Sequence, residues 1–129
     1  MKFKQITPTI PTTDVNRSRN FYVNKVGLKE NTDMKIPGDS LLLEAEDGTH
    51  LFVYQRPPSH AEHTLASITV DDMAAAVEEL SGRGVKFEIY DFPGLKTDEK
   101  GIAEMGGMKS AWFKDPDNNI IGLIQIPQA

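Results

Sequence analysis

Few side chains in this sequence can do acid–base or metal chemistry. It holds three histidines and no cysteine, which excludes thiolate catalysis, disulfides and cysteine-based zinc sites. His50 lies in the apolar run THLFVYQ. Histidine is the side chain that exchanges a proton near neutral pH, so His50 is the candidate general base. His60 and His63, in SHAEH, read as a solvated pair in a linker. Asp115-Pro116-Asp117-Asn118 resembles an acidic cluster, yet proline and Asx residues at this spacing build a turn. Glu78-Glu79 reads as a solvated helix face. PGLKTDEKG lacks the spacing of a phosphate loop, and no serine elbow is present.

The composition is that of a globular chain large enough for a real core: 129 residues, 39% hydrophobic and 26% charged. A net charge of -5 argues against a broad nucleic-acid surface. The start, MKFKQITPT, has no signal-peptide core, and no run approaches the roughly 20 apolar residues of a membrane helix. These features predict a soluble cytoplasmic protein that binds neither nucleic acid nor membrane.

Two segments predict the helices that position everything else. In residues 14–25, Asp14 is the N-cap, Val15, Ser18, Phe21 and Tyr22 share a face, and Gly27 stops the helix. In residues 72–83, Asp72 caps, Met73, Ala76, Val77 and Leu80 form the stripe, and Gly84 stops it. A shift of 58 positions superposes the two. A second match, EDGTHLFVYQRP against PDNNIIGLIQIP, has a shift of 70 and aligns Asp47 with Asp117, Gln55 with Gln125 and Pro57 with Pro127. The chain therefore reads as one unit used twice, over about 1–57 and 58–129, with about 12 extra residues in the second copy. The extra residues fall in DFPGLKTDEKGIAEMGG, which predicts a long loop. Each unit reads as strand, helix and three strands. The strands are expected at 2–9, 28–34, 40–45 and 49–55, then 63–70, 85–90, 110–114 and 119–126.

FKDPDNNIIGLIQ resembles the final hairpin of the vicinal oxygen chelate superfamily, which includes glyoxalase I, bleomycin-resistance proteins and extradiol dioxygenases. TTDVNRSRNFYVNKVGLKE resembles its first helix, and ITVDDMAAAVEELSGRGVKF its second. The stretch YDFPGLKTDEKGIAEMGGMKSAWFKDPDNN resembles a glyoxalase/bleomycin-resistance-like subfamily. The resemblance spans nearly the whole chain. It implies an α+β fold of two tandem βαβββ modules, a curved mixed sheet around a cup-shaped cavity, and a homodimer. It leaves the function open, because this fold hosts isomerases, lyases, dioxygenases and binding proteins.

The resemblance also implies where metal ligands would stand: on the first and last strand of each module. By register these positions are Thr7, Phe52, Leu65 and Gly122, and the repeat relates them as pairs. Phenylalanine, leucine and glycine offer no side-chain donor, and a lone threonine hydroxyl is a poor one. No cofactor is therefore expected. Gly122 also has a plain structural reading, as a strand glycine that permits close approach. One alternative metal site uses Gln5, His50 and His63, each two residues before one of those positions and so on the same strand face.

An apolar, aromatic pocket with a few hydroxyls suits a small organic ligand. Its expected lining is Thr7, His50, Phe52, Tyr54, Leu65, Ser67, Tyr90, Trp112 and Gly122. Phe92 adds to the aromatics, and the loop carrying Met105, Gly106, Gly107 and Met108 is a candidate lid. The leading expectation is metal-free binding of an apolar or aromatic molecule. The alternatives are an enzyme of the lyase, isomerase or dioxygenase type, using the displaced metal site or a His50 base, and a scaffold for protein association.

Overall fold

A computed structural model describes residues 1–127. The chain divides into two compact units, Met1–His60 and the residues from Ala61 onward. Each builds its own open four-stranded mixed sheet, so the chain is an α+β fold of tandem βαβββ modules.

The first unit runs β1 (Thr9–Thr12), α1 (Val15–Arg19), a π-helical continuation (Asn20–Val26), β2 (Lys29–Glu30), β3 (Ser40–Glu44) and β4 (His50–Gln55). Its sheet order is β1-β4-β3-β2, with β1 and β4 parallel and the other pairs antiparallel. The helical segment buries Val15, Ser18, Phe21 and Tyr22, which are the residues of the predicted stripe. The opposing sheet face supplies Ile10, Leu41, Leu43, Leu51 and Val53, all buried. Phe21 and Tyr22 meet edge to face, with centroids 5.1 Å apart. Gly27 closes the helix at φ 98°, a conformation that suits glycine.

The second unit runs β5 (Thr64–Thr69), α2 (Met73–Gly82), β6 (Asp91–Phe92), β7 (Leu95–Lys96), β8 (Ala103–Met105), β9 (Met108–Lys114) and β10 (Ile120–Gln125). Its main sheet has the order β5-β10-β9-β8, and β6 and β7 form a separate hairpin. Met73, Val77 and Leu80 of α2 are buried, as are Ala111, Phe113, Ile121 and Leu123 of the sheet.

The ladders carry the repeat. Thr9 pairs with Phe52, and Ser67 pairs with Gly122. Leu42 pairs with Phe52, and Trp112 with Gly122. The matched glutamines have a shared job. The Val15 N–H donates to Gln55 Oε1 at 3.2 Å, and the Met73 N–H donates to Gln125 Oε1 at 2.6 Å. Each last strand thus satisfies an N–H that its own helix leaves orphaned. Asp14 accepts from the N–H groups of Asn16 and Arg17, and Asp72 from that of Ala75. Gln125→Ala should therefore lower stability by about 1 kcal/mol, measured as a lower denaturant midpoint at unchanged slope.

Several elements differ from expectation, each for a local reason. The first strand begins at Thr9, not residue 2. Pro8 has no N–H to extend the ladder, and its carbonyl accepts the last bond, from the Phe52 N–H at 3.0 Å. The second strand is only Lys29–Glu30, because Asn31 Oδ1 takes the N–H groups of Asp33 and Met34 and turns the chain. The strand expected at 85–90 reduces to one bridge, Phe87 to Phe113. Tyr90 leaves that edge to exchange bonds with Thr97, N–H to Oγ1 at 2.9 Å and Thr97 N–H to carbonyl at 2.9 Å. The insertion is accordingly not a structureless loop: it carries β6, β7 and β8.

Candidate functional site

On β4, Leu51 and Val53 point into the core, while His50, Phe52 and Tyr54 share the other face and are half-buried. Across β3 they meet Glu44, Leu42 and Ser40 in register. His50 Nε2 lies 3.0 Å from Glu44 Oε1 and its Nδ1 lies 3.3 Å from Gln5 Oε1. The carboxylate can only accept, so Nε2 carries the proton. As placed, the Gln5 oxygen suits a protonated ring, and turning its amide over presents the NH₂ to a neutral one. Gln5 and Glu44 thus lie on opposite nitrogens of one ring and do not converge on a common point. His63 is exposed and stands in the second unit, just ahead of β5. Among the described residues, no group of three or more His, Asp or Glu side chains could hold a metal ion.

On the second sheet the matching face is aromatic. Tyr90 and Trp112 meet at a centroid distance of 5.5 Å, and Tyr90 and Phe92 at 5.9 Å. Phe113, the neighbour of Trp112, points the other way and packs on Phe87 in the core. Ser67 is exposed beside Gly122. The ladder slips between Ile120 and Ile121, whose partners are Thr64 and Ala66, so Leu65 sits in the slip without a partner on β10. Its repeat mate Thr7 precedes β1 altogether.

Burial, with help from Glu88 and against the opposing pull of Lys114, raises the Tyr90 phenol above its ordinary value of 10.0. Its hydroxyl stays a neutral donor through neutral pH. A raised value in the folded state makes a stability contribution that is present below pH 10.0 and lost as pH climbs through the folded value. Tyr90→Phe should flatten the alkaline fall in melting temperature and leave the neutral-pH slope alone, as pH-dependent unfolding scans can check.

Thr7, Phe52, Leu65 and Gly122 offer a divalent ion no side-chain donor beyond one threonine hydroxyl. Gly122 is the clearest case. A Cβ there would stand 2.9 Å from Ser67 Oγ, 3.5 Å from Thr64 Cγ2 and 3.6 Å from Trp112 Cδ1. In the first copy the cross-strand pair is Leu42 with Phe52; in the second it is Trp112 with Gly122. The bulk has moved across the ladder, and the indole edge occupies the space beside the glycine. Gly122 therefore has a packing reason for its missing side chain.

Two features lay outside the sequence reading. One is Glu44, which no local pattern marks as the partner of His50. The other is a cleft of about 790 Å³ in the second unit, between the 96–102 segment and the start of α2. Its lining includes Lys96, Lys100 and Lys109 with Asp98, Glu99 and Glu104. These charges are mixed in sign, and the cleft lacks the aromatic character of the Trp112 face. That hollow thus suits an apolar ligand less well than the Trp112 face does.

The acidic turn is structural. Asp115 is 4% exposed. Its Oδ1 accepts from the N–H groups of Asp117 and Asn119, both at 2.9 Å, and its Oδ2 accepts from Asn119 Nδ2 at 2.8 Å. The same five-residue loop closes at Ala45–Thr49 and at Asp98–Ile102.

Comparison with known proteins agrees with this architecture. The chain is similar to TnmS3, an antibiotic binding protein from Streptomyces sp. CB03234, with 25% identity, 99% of each chain covered and a TM-score of 0.72. It is similar to a glyoxalase/bleomycin resistance protein from the same source, with 26% identity, 91% of this chain and 96% of that one covered, and a TM-score of 0.66. UcmS2 shares the fold at 20% identity, with 96% and 98% covered and a TM-score of 0.71. No curated protein sequence matches. No helix among the described residues is long and apolar enough to cross a membrane. The sequence model of the Glyoxalase/Bleomycin resistance protein/Dioxygenase superfamily matches residues 2–123, and the chain belongs to that superfamily.

Proposed function

We propose that this protein binds a small apolar or aromatic molecule without a metal, as a cytoplasmic homodimer. The observation that carries the reading is the Tyr90–Phe92–Trp112 array beside Gly122, at a place where a metal-dependent relative would need a donor. Tilted and edge-on rings offer a ligand apolar area at low entropic cost. Ser67 supplies a hydroxyl beside them, and the Tyr90 hydroxyl stays protonated at neutral pH. The likeness to an antibiotic binding protein supports a small-molecule ligand.

A thermal-unfolding screen of chelator-treated protein against planar aromatic compounds tests this. A compound at 100 times its dissociation constant should add roughly 2.7 kcal/mol of stability, and Trp112→Ala should remove the gain. Ni²⁺, Mn²⁺, Fe²⁺, Co²⁺ and Zn²⁺, added singly, should give none. A metal-dependent shift that disappears in a His50→Ala, His63→Ala variant would sink the reading and favour an enzyme with a displaced metal site. Light scattering of the purified chain checks the dimer. An enzyme with a His50 base is the second reading, and the Glu44 carboxylate on the imidazole favours it.

A further inference from the structure

The first sheet carries a polar pair that the second lacks. Glu44 and His50 stand opposite each other on β3 and β4. Their repeat mates, Lys114 and Ile120, stand opposite each other on β9 and β10. The fold therefore does not require a carboxylate and an imidazole at this place. Next along the same face come Phe52 and Leu42, then Tyr54 and Ser40. An apolar centre is flanked by a polar group at each end.

Glu44 holds the Nε2 side of His50 at 3.0 Å, and Asn31 Nδ2 donates to the same Glu44 oxygen at 3.4 Å. Lys29, on β2, is the cross-strand neighbour of Glu44 on its other side. A carboxylate on one ring nitrogen sets the tautomer, aims the other nitrogen as an acceptor and stabilises the protonated ring. Among the described residues, that other nitrogen, Nδ1, faces one hydrogen-bonding group, Gln5 at 3.3 Å. Gln5 belongs to the segment ahead of β1, which joins no sheet. Its neighbours Phe3 and Ile6 are 90% and 96% exposed. Little packing holds Gln5 in place.

We propose that His50 and Glu44 form a proton-accepting dyad for a ligand that carries an acidic hydroxyl on a flat ring, a phenol or enol, which displaces Gln5 and lays its ring against Phe52. The inference rests on the metal-free ligand-binding reading above. On binding, the hydroxyl proton passes to His50 Nδ1 while the Nε2 proton stays on the ring, donated in a hydrogen bond to Glu44. An oxyanion is left against an imidazolium, no other bond forms or breaks, and no oxidant or reductant is needed. Gln5 acts as a cap that closes the dyad when the ligand is absent.

The probe is 3-nitrophenol near neutral pH, where the free phenol is mostly protonated and an ordinary imidazole mostly neutral, mixed with excess full-length protein. Equilibrium dialysis reads retention, and the phenolate absorption band reads proton transfer. The dyad should retain the probe and raise the phenolate fraction about tenfold, the effect of a one-unit drop in the probe's own pKa. His50→Gln should abolish the band. Gln5→Ala should tighten retention about threefold, the factor for a cap closed roughly two-thirds of the time. Retention without the band, or a band that survives His50→Gln, overturns the dyad and leaves aromatic binding standing. No retention overturns the dyad as well, and the aromatic compound screen then judges the broader reading separately. Reaction with diethyl pyrocarbonate, mapped by mass spectrometry, tests the cap without any ligand. Modification of His50 relative to exposed His63 should rise in Gln5→Ala, and an unchanged ratio removes the cap.

Discussion

Replacing Asp115 by alanine should destabilise the protein by about 2–4 kcal/mol, a drop in Tm on the order of 10 °C. The carboxylate is buried and accepts three hydrogen bonds, from the backbone of Asp117 and Asn119 and from the Asn119 side chain. Asn119 is itself only 5% exposed. Removing the acceptor takes a hydrogen bond from each of these donors, two of them on buried Asn119, and desolvated donors make that loss cost more than the bond itself contributes. The matching loop of the first copy provides the control. It closes with the same backbone bonds, Ala45 N–H to Thr49 carbonyl at 2.9 Å and Gly48 N–H to Ala45 carbonyl at 3.0 Å. It has alanine where Asp115 stands, and its Asp47 is exposed. Asp47→Ala should shift stability by less than about 0.5 kcal/mol. Equal melting temperatures for wild type and Asp115→Ala would show that the turn does not depend on its carboxylate, and would reopen a chemical role.

Introducing glutamate at Gly122 should weaken the fold by about 1–3 kcal/mol and restore no metal binding. The new Cβ meets Ser67 Oγ at 2.9 Å and Trp112 Cδ1 at 3.6 Å. The longer side chain must then displace the indole. Trp112 is the one tryptophan in the chain, so its emission maximum reports the displacement directly. Gly122→Ala is a milder case. The Ser67 hydroxyl can rotate away, and alanine costs less backbone entropy than glycine in a strand by roughly 0.5–1 kcal/mol, so the net change should be near zero. Metal should not rescue Gly122→Glu, because Thr7, Phe52 and Leu65 still offer no adequate donors. A Tm increase on adding Zn²⁺ or Ni²⁺ to chelator-treated Gly122→Glu would contradict this and revive the lost-ligand view of the position.

Both results bear on one comparison between the two copies. Phe52 and Gly122 are repeat mates, and so are Leu42 and Trp112. The face of the first sheet fills the position with a phenyl ring and keeps His50 and Glu44 beside it. The second leaves it bare and places an indole across the ladder, next to Tyr90. Duplication supplied the same backbone twice, and side-chain exchange across one rung made two chemically different faces.

The sequence by itself determined the repeat, both helices, their capping aspartates and the turns. These follow from short-range rules: a helical stripe at i, i+3 and i+4, an Asp at the N-cap, glycine where φ is positive. The equivalence of Gln55 and Gln125 was also legible, although its cause was not, since each bonds a helix N–H 40 or 52 residues away. Only tertiary structure decided the ladder details. Pro8 delayed the start of β1, a slip left Leu65 without a rung partner, and Thr97 drew Tyr90 off the sheet edge. It also decided which polar groups meet. Glu44 and Gln5 lie 6 and 45 residues from His50, and neither spacing has a pattern that marks contact. The physical reason is range. Propensity, capping and turn chemistry act over a few residues, whereas register, burial and side-chain pairing depend on which distant strand lies alongside, and one proline or one bulge changes every contact beyond it.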